Sequence, residues 1–576
     1  MQDVHPKQCG SAPLALAARA AGTMVGASMP EPAHALDLLH PAAQQRIDVE
    51  RTRVALTLAF AGGAGGGLFE EALDRAALAP SNWEPAGFVN DLFLQRFVGG
   101  CFKIRIGTRE PLAVTNYVYR LLAHPPRDVA VVHFRREVLA ELDARPELRA
   151  ELEKLYTDLC RLRALLENTS GAQNWDPARR QLDILAVVKD VFERMAAGFI
   201  GCQSGLSRLS TFGLSVKTAE SYQALSDLLS YDDRLATLSL NIGIGADGRI
   251  RGFEVLSVKE ASENPFVSPV WRRWLSKVEM FLRGYRFGDG EVMARLVDAV
   301  FSGIEDSVVA LVQLFGDLEL YLGALGFADQ ARAAGLEVCL PELVSPQTPR
   351  ALSGLFNPLL LMSGVQPIPC DLSTEKLSTT VLVTGPNSGG KTRLLQSVGL
   401  AQLLAQGGLF APARSGAIAL TSSLVVSLIQ ESTADQAEGR LGMELVRIRA
   451  LFERLPPGAM VLLDELCSGT NPSEGEEIFE LVVSMLQQLR PQAFITTHFL
   501  AFAARLSRES KIPDLAFMQV ELGPDRRATY QFVPGVAETS LAGHAAERLG
   551  VTGDQLQSLI EQNIQRFRPP GQRGDD

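Results

Sequence analysis

The chain has 576 residues, 46% of them hydrophobic and 21% charged, enough to bury a large core, which excludes global disorder. Its formal net charge of −11 excludes a basic nucleic-acid footprint spread over the whole chain, so any such surface has to be a local patch. Seven cysteines, none at CxxC spacing, argue against a disulfide framework or a zinc site and for a reducing, cytoplasmic setting.

At about 150 residues per domain, the length suggests roughly three or four domains. Residues 1–35 are rich in Ala, Gly and Pro and read as a loose leader. Pro13–Gly22 is apolar, but Arg19 interrupts it and no small-residue cleavage pattern follows a basic start, so it is not read as a signal peptide. No apolar run reaches the roughly 18 residues of a membrane helix, and no membrane partner is expected. Val54–Phe60 is apolar at helical spacing. The glycine run Gly62–Gly67 behind it reads as a loop, since it lacks the lysine of a phosphate loop. The fold of 36–129 stays open.

From Pro146 the pattern becomes helical and long. Leu148, Leu152, Leu155, Leu159, Leu162 and Leu166 form a heptad-like seam, with Glu151, Glu153, Lys154, Arg161 and Arg163 on the other faces, so this helix packs against another. Leu238, Leu240, Ile242 and Ile244 then alternate with Ser239, Asn241 and Gly243. A turn signal at Gly245–Gly248 and a second strand, Arg249–Val258, complete a β-hairpin. Helical spacing returns from Trp271 to Phe327, with a break at Gly288-Asp289-Gly290. Within it, Arg272 and Arg273 between Trp271 and Trp274, with Arg283 and Arg286 beyond, form a cationic cluster. It reads either as a nucleic-acid patch or as the solvated face of a tryptophan-anchored helix. Pro341, Pro346 and Pro349 mark a linker. Beyond it strands and helices alternate in the rhythm of a parallel sheet.

The most specific signal is Gly385-Pro386-Asn387-Ser388-Gly389-Gly390-Lys391-Thr392, which fits GxxxxGK[ST] between the strand Thr380–Val383 and the helical run Leu394–Leu404. Glycines let backbone N–H groups approach phosphates, Lys391 would neutralise the β- and γ-phosphates, and the Thr392 hydroxyl would hold Mg²⁺. The apolar strand Met460–Leu463 ends in Asp464 and Glu465; Asp464 suits a Mg²⁺ contact and Glu465 a general base that positions the attacking water. A third strand, Ala493–Thr496, ends at Thr497-His498, with His498 at the spacing of a γ-phosphate sensor. No guanine-reading NKxD sequence occurs, which favours ATP. A transporter ATPase would bring an LSGGQ-like signature, and a long-rod chromosome ATPase an extended coiled coil; neither pattern is found in the sequence.

Thr384–Thr392 resembles the TGPNxxGK[ST] phosphate loop of the MutS family of DNA-mismatch-repair ATPases, and Val461–Pro472 resembles its DE…GT segment, followed by Thr496-Thr497-His498. Gly408–Ala413 is similar to the family's strand after the phosphate-loop helix, and Pro534–Glu547 to its PGVAxxSxGxxVA segment in the dimeric ATPase region. The resemblance runs from about residue 350 to 560, and Arg127–Leu142 is similar to the segment that opens the core domain in shorter relatives. It implies an α/β plus α architecture. An ABC-type P-loop ATPase with a parallel-sheet core and C-terminal dimerisation helices (346–576) would follow a mainly helical core/lever region (130–345) carrying a β-hairpin insertion near 235–260. It also implies ATP with Mg²⁺, a homodimer with composite sites, and coupling to duplex, mismatched or branched DNA.

Two departures follow. Phe69-Glu70-Glu71 carries the letters of the mismatch readers' Phe-x-Glu motif, yet the space before residue 130 is too short for their recognition domain, and the match is taken as chance. The chain also ends soon after the ATPase, without the nuclease-like tail of the anti-recombination branch that its Gly-Gly-Lys-Thr loop otherwise resembles. In the signature segment Asp435–Glu444, Gly439 stands where relatives place the Ser that contacts the γ-phosphate across the dimer. Its N–H could still donate there, with slow hydrolysis expected.

Overall fold

The apolar periodicity of the N-terminal half becomes helices packed around one long central helix. The computed structural model describes residues 35–63, 66–167, 177–232, 236–244, 250–260, 289–428, 440–467, 471–538 and 551–566. In it α1 (Val49–Phe60), α2 (Leu68–Asp74), α3 (Leu94–Cys101), α4 (Asn116–Ala123), α5 (Val129–Ala144), α6 (Pro146–Glu167), α7 (Pro177–Gly198), α8 (Ser207–Lys217) and α9 (Glu220–Asp232) precede α10 (Asp289–Ala333). Short strands β1 (Lys103–Ile104) and β2 (Leu112–Ala113) pair beside α10, and β3 (Ala236–Ile244) pairs antiparallel with β4 (Ile250–Glu260) as the expected hairpin. The leader (1–34), the hairpin turn (245–249) and the Trp271–Arg286 cluster lie outside the described residues.

The six leucines of the predicted seam are all buried on α6, each worth about 1.5–3 kcal/mol relative to exposure. Arg194 Nε meets Asp158 Oδ2 at 2.7 Å between α7 and α6, and Arg149 grips Asp329 at 2.5 and 3.1 Å between α6 and α10. Phe69 is a core side chain, edge-on to Phe315 with ring centroids 5.3 Å apart.

With 45 residues at 1.5 Å rise, α10 is about 68 Å long. Leu296–Ala333 is long and apolar enough to cross a membrane, which corrects the expectation that no such stretch exists, but its most apolar window lies wholly inside the protein. This is a core helix whose interruptions are polar residues satisfied internally. Gln313 Oε1 accepts from Arg46 N (2.7 Å), and Glu319 Oε2 accepts from Thr115 N (2.8 Å) and Thr115 Oγ1 (2.6 Å). Asp317 accepts from Leu38 N (3.0 Å) and from Arg46 Nη2 (2.5 and 2.6 Å), with Asp37 facing the same guanidinium at 3.3 Å. Burial pushes the Asp317 carboxyl up to about 6 against the pull of Arg46. At Gly326 a Cβ would lie 1.8 Å from Lys103 O, so only glycine lets β1 lie against the helix here. The described helix begins at Asp289, inside the predicted glycine break, and continues past Phe327 to Ala333.

From Leu36 on the chain forms one compact unit. The proline-marked stretch near 345 is not a free linker, because β5 (Glu342–Leu343) within it belongs to a second sheet. That sheet has the order β5-β9-β6-β7, with β6 (Arg350–Leu355), β7 (Cys370–Thr374) and β9 (Ser415–Ile418). The larger sheet runs β10-β11-β12-β8-β13-β14, with β8 (Thr380–Thr384), β10 (Leu424–Ser427), β11 (Met460–Leu463), β12 (Gln492–Thr496), β13 (Leu515–Leu522) and β14 (Ala528–Pro534); all pairs are parallel except β13 with β14.

The helices of this half are α11 (Pro358–Met362), α12 (Lys391–Gln406), α13 (Arg440–Arg454), α14 (Pro472–Leu486), α15 (Leu500–Glu509) and α16 (Gly553–Arg566). Strand side chains alternate between faces. Leu382, Val461, Leu463, Ala493 and Ile495 join a cluster with α14 and α15, while Val381, Val383, Met460, Leu462 and Phe494 join the core shared by α12 and the N-terminal helices. Every residue of α12 from Leu394 to Gln406 is buried, so this helix is enclosed between the sheet and the N-terminal helices.

Candidate nucleotide site

Strands β11, β12 and β8 are neighbours and parallel, so their C-terminal ends release Asp464-Glu465, Thr497-His498 and Gly385–Thr392 along one edge of the sheet, where open α/β sheets bind ligands. The glycine loop is shaped by its surroundings. Gly385 has φ +141°, and a Cβ there would come within 2.6 Å of Val520 Cγ2 on β13. Asn387 and Ser388 are exposed at the tip, Gly389 N donates to Pro386 O at 3.0 Å, and Gly390 (φ +88°) opens α12. The ring of Tyr530 on β14 lies 3.1 Å from the position of a Gly390 Cβ and is partly exposed, forming a wall of the loop that the sequence motifs did not indicate.

Lys391 is buried, and its Nζ donates to Gly385 O (3.1 Å) and Pro386 O (3.2 Å). Burial pushes the ammonium pKa down, opposed by Glu465 and Asp464. Thr392 Oγ1 donates to Asp464 Oδ2 at 2.5 Å, so two oxygens of the kind Mg²⁺ prefers meet between the glycine loop and β11.

Thr496, fully buried at the end of β12, links the Asp464 carboxylate to the backbone of Glu465. Its Oγ1 donates to Asp464 Oδ1 at 2.5 Å and accepts from Glu465 N at 2.8 Å. Glu465 itself holds φ +50°, a left-handed conformation that costs a non-glycine residue on the order of 1–3 kcal/mol and needs such support. Thr496 lies inside the motif read from the sequence, but only the structure gives its hydroxyl a task. His498 is exposed at the strand end, its ring centroid 4.2 Å from that of Phe499. Gly439 lies outside the described residues, as do Gly469, Thr470 and 539–547 of the C-terminal segment Pro534–Glu547. The beginning of that segment is anchored, since Ala537 N donates to Thr384 Oγ1 at 2.9 Å beside the glycine loop.

A cavity of about 480 Å³ reaches Asp464 and Glu465 from the side of β10 and α13, and its far wall is built by Asn82, Glu84, Asn90 and Asp91 of the N-terminal half.

Residues 381–563 match the family model of MutS domain V. The chain is 28% identical over 279 residues to Endonuclease MutS2 of Thermomicrobium roseum, covering 46% of this chain and 34% of that protein. It is 34% identical over 222 residues to Endonuclease MutS2 of Streptococcus mutans, covering 38% of this chain and 27% of that protein. Against Endonuclease MutS2 of Streptococcus agalactiae it is 31% identical over 236 residues, 39% of this chain and 29% of the relative. The chain thus spans about a third or less of the length of these relatives. The glycine loop, the Asp464-Glu465 strand and the Thr496–His498 strand all fall inside the matched region, so the similarity to MutS domain V covers the residues of the site.

Proposed function

We propose that the protein binds and hydrolyses ATP as a homodimer and couples the nucleotide state to DNA. The observation that carries the ATP reading is the convergence of Thr392, Asp464 and Thr496 within 2.5 Å hydrogen bonds at three adjacent strand ends. Backbone N–H groups of Gly385–Thr392 would cradle the phosphates, and Lys391 would leave its two carbonyls for the β- and γ-phosphates, whose negative charge opposes the downward push of burial on its pKa. Thr392 and Asp464 would hold Mg²⁺, which when bound neutralises charge on the phosphates. Glu465 would orient and deprotonate the attacking water, and His498, exposed at the strand end, would sense the γ-phosphate. Gly439 of a second copy would close the site with its N–H. The burial of α12 between the sheet and the N-terminal helices supports a mechanical link by which closure over ATP moves those helices around DNA.

The acidic balance of −11 favours a second reading, an ATP-dependent interaction switch that does not bind DNA. ATP turnover measured with and without homoduplex, mismatched and four-way-junction DNA separates them. Stimulation by DNA, with binding that falls steeply as salt rises, supports the first reading; turnover indifferent to all three, with no binding at low salt, overturns it. Loss of ATP binding in Lys391→Ala is expected in either case.

A further inference from the structure

The edge of the nucleotide-site sheet is not left open to solvent. Residues 83–91 of the N-terminal half run along β10 and meet the chain at three successive points, ahead of the strand, at its first residue and just after it. The Trp83 indole Nε1 donates to Thr421 O at 3.1 Å, just ahead of the strand. Gly87 lies against the first residue of β10, where a Cβ would come 3.3 Å from Leu424 O. Asp91 Oδ1 accepts the Leu428 N–H at 2.7 Å, immediately after the strand. The next residue, Leu92, reaches beneath the sheet to α12, filling the space over Gly399, where a Cβ would meet Leu92 Cδ2 and Leu462 Cδ1 each at 2.9 Å. Edge strands need covering, and a short apolar strap would suffice for that. A carboxylate at the end of it does something more specific. A hydrogen bond from an amide to an ionised carboxylate is stronger than one between neutral groups. This one fixes the backbone at the point where the chain leaves β10 for the signature segment. Asp91 also lines the same cavity as Asp464, Glu465, Glu444 and Arg447.

We infer that Asp91 is a positioning residue for ATP turnover. It holds the exit of β10, where Ser427 O accepts from Asp464 N at 2.9 Å, in the geometry that hydrolysis requires, and the 83–92 strap is a second place where the N-terminal half acts on the nucleotide site. The inference rests on the ATPase reading above. It gives the N-terminal half a route to the site that runs through the sheet edge, in addition to the packing of α12.

The test compares wild type, Asp91→Ala and Asp91→Asn in the full chain, measuring kcat and KM for Mg-ATP, the Kd of a fluorescent ATP analogue, and hydrogen exchange at the Leu428 amide. Asp91→Ala should lower kcat by about tenfold or more while Kd stays within about threefold, and the Leu428 amide should exchange faster. Asp91→Asn keeps an oxygen that can accept the amide but not the charge, and should recover part of both, lying between Asp91→Ala and wild type. Unchanged kcat in Asp91→Ala beside an active wild type overturns the inference and leaves the ATPase reading standing. A loss of which Asp91→Asn recovers no part, or that appears equally in Kd, also overturns it. A wild type that binds no analogue and hydrolyses nothing removes the ATPase reading, and the inference falls with it.

Discussion

Replacing Thr496 by valine removes one oxygen and keeps the branched shape of a fully buried side chain, so packing is nearly unchanged. Two hydrogen bonds disappear: the 2.5 Å bond to Asp464 Oδ1 and the 2.8 Å bond from Glu465 N. Losing a donor to a charged acceptor costs about 1.5–3 kcal/mol, and a half-buried N–H left unpaired costs about 1–3 kcal/mol. Part of this is returned when Glu465 relaxes from its left-handed φ of +50°. That relaxation carries the carboxylate away from its place beside the glycine loop. If about 1.4–2.7 kcal/mol of the loss appears in the barrier, kcat falls ten- to a hundredfold. ATP affinity, proposed to rest on the glycine loop and Lys391, should change by less than about threefold. The assay is steady-state hydrolysis of Mg-ATP together with analogue binding and urea unfolding. Thr496→Ser, which keeps the hydroxyl, should retain most activity. Wild-type kcat in Thr496→Val, or equal loss in the serine variant, would refute the role of the hydroxyl.

Other outcomes follow from the same geometry. Gly385→Ala places a methyl 2.6 Å from Val520 Cγ2 at φ +141°, and should abolish analogue binding while lowering unfolding free energy by about 1–3 kcal/mol. Leu159→Ala in the buried seam of α6 should cost about 2–5 kcal/mol in denaturant unfolding, with no direct effect on nucleotide affinity. Arg46→Met leaves Asp37 and Asp317 buried without their shared cation and should cost about 3–5 kcal/mol at pH 7. Asp317 already titrates near 6, above its ordinary value of 3.8, so its folded state takes up a proton more readily than the unfolded chain and its ionisation costs stability. Without Arg46 that carboxyl rises further. The deficit of Arg46→Met should therefore shrink as the pH falls from 7 toward 5; a deficit that grows over this range would contradict the assignment.

Much of the nucleotide half was legible because its signals are local. A glycine loop between strand and helix and a carboxylate pair at a strand end can each be read within about ten residues, and the observed β8, α12 and β11 start or stop within a few residues of expectation. The leucine seam of α6 was legible for the same reason, since helical periodicity records which face is buried. What the sequence hid depends on distant partners. Gln313, Asp317 and Glu319 look like breaks in an apolar run until Arg46, Leu38 and Thr115 are brought to them across more than two hundred residues. The strap at 83–92 has no motif at all; its meaning comes from Thr421, Leu424 and Leu428, which only the fold sets beside it. The prolines near 345 suggested a linker, but proline is tolerated beside a short edge strand such as β5.

The central claim is that Asp464 and Glu465 at the end of β11 serve ATP hydrolysis rather than structure. It is tested most directly by measuring ATP binding and turnover of wild type and Glu465→Gln side by side in Mg²⁺. The account predicts measurable turnover in wild type, and in Glu465→Gln an affinity within about threefold with turnover at least about a hundredfold slower. Equal turnover in the two proteins, or none in a wild type that is folded and binds ATP, would contradict it.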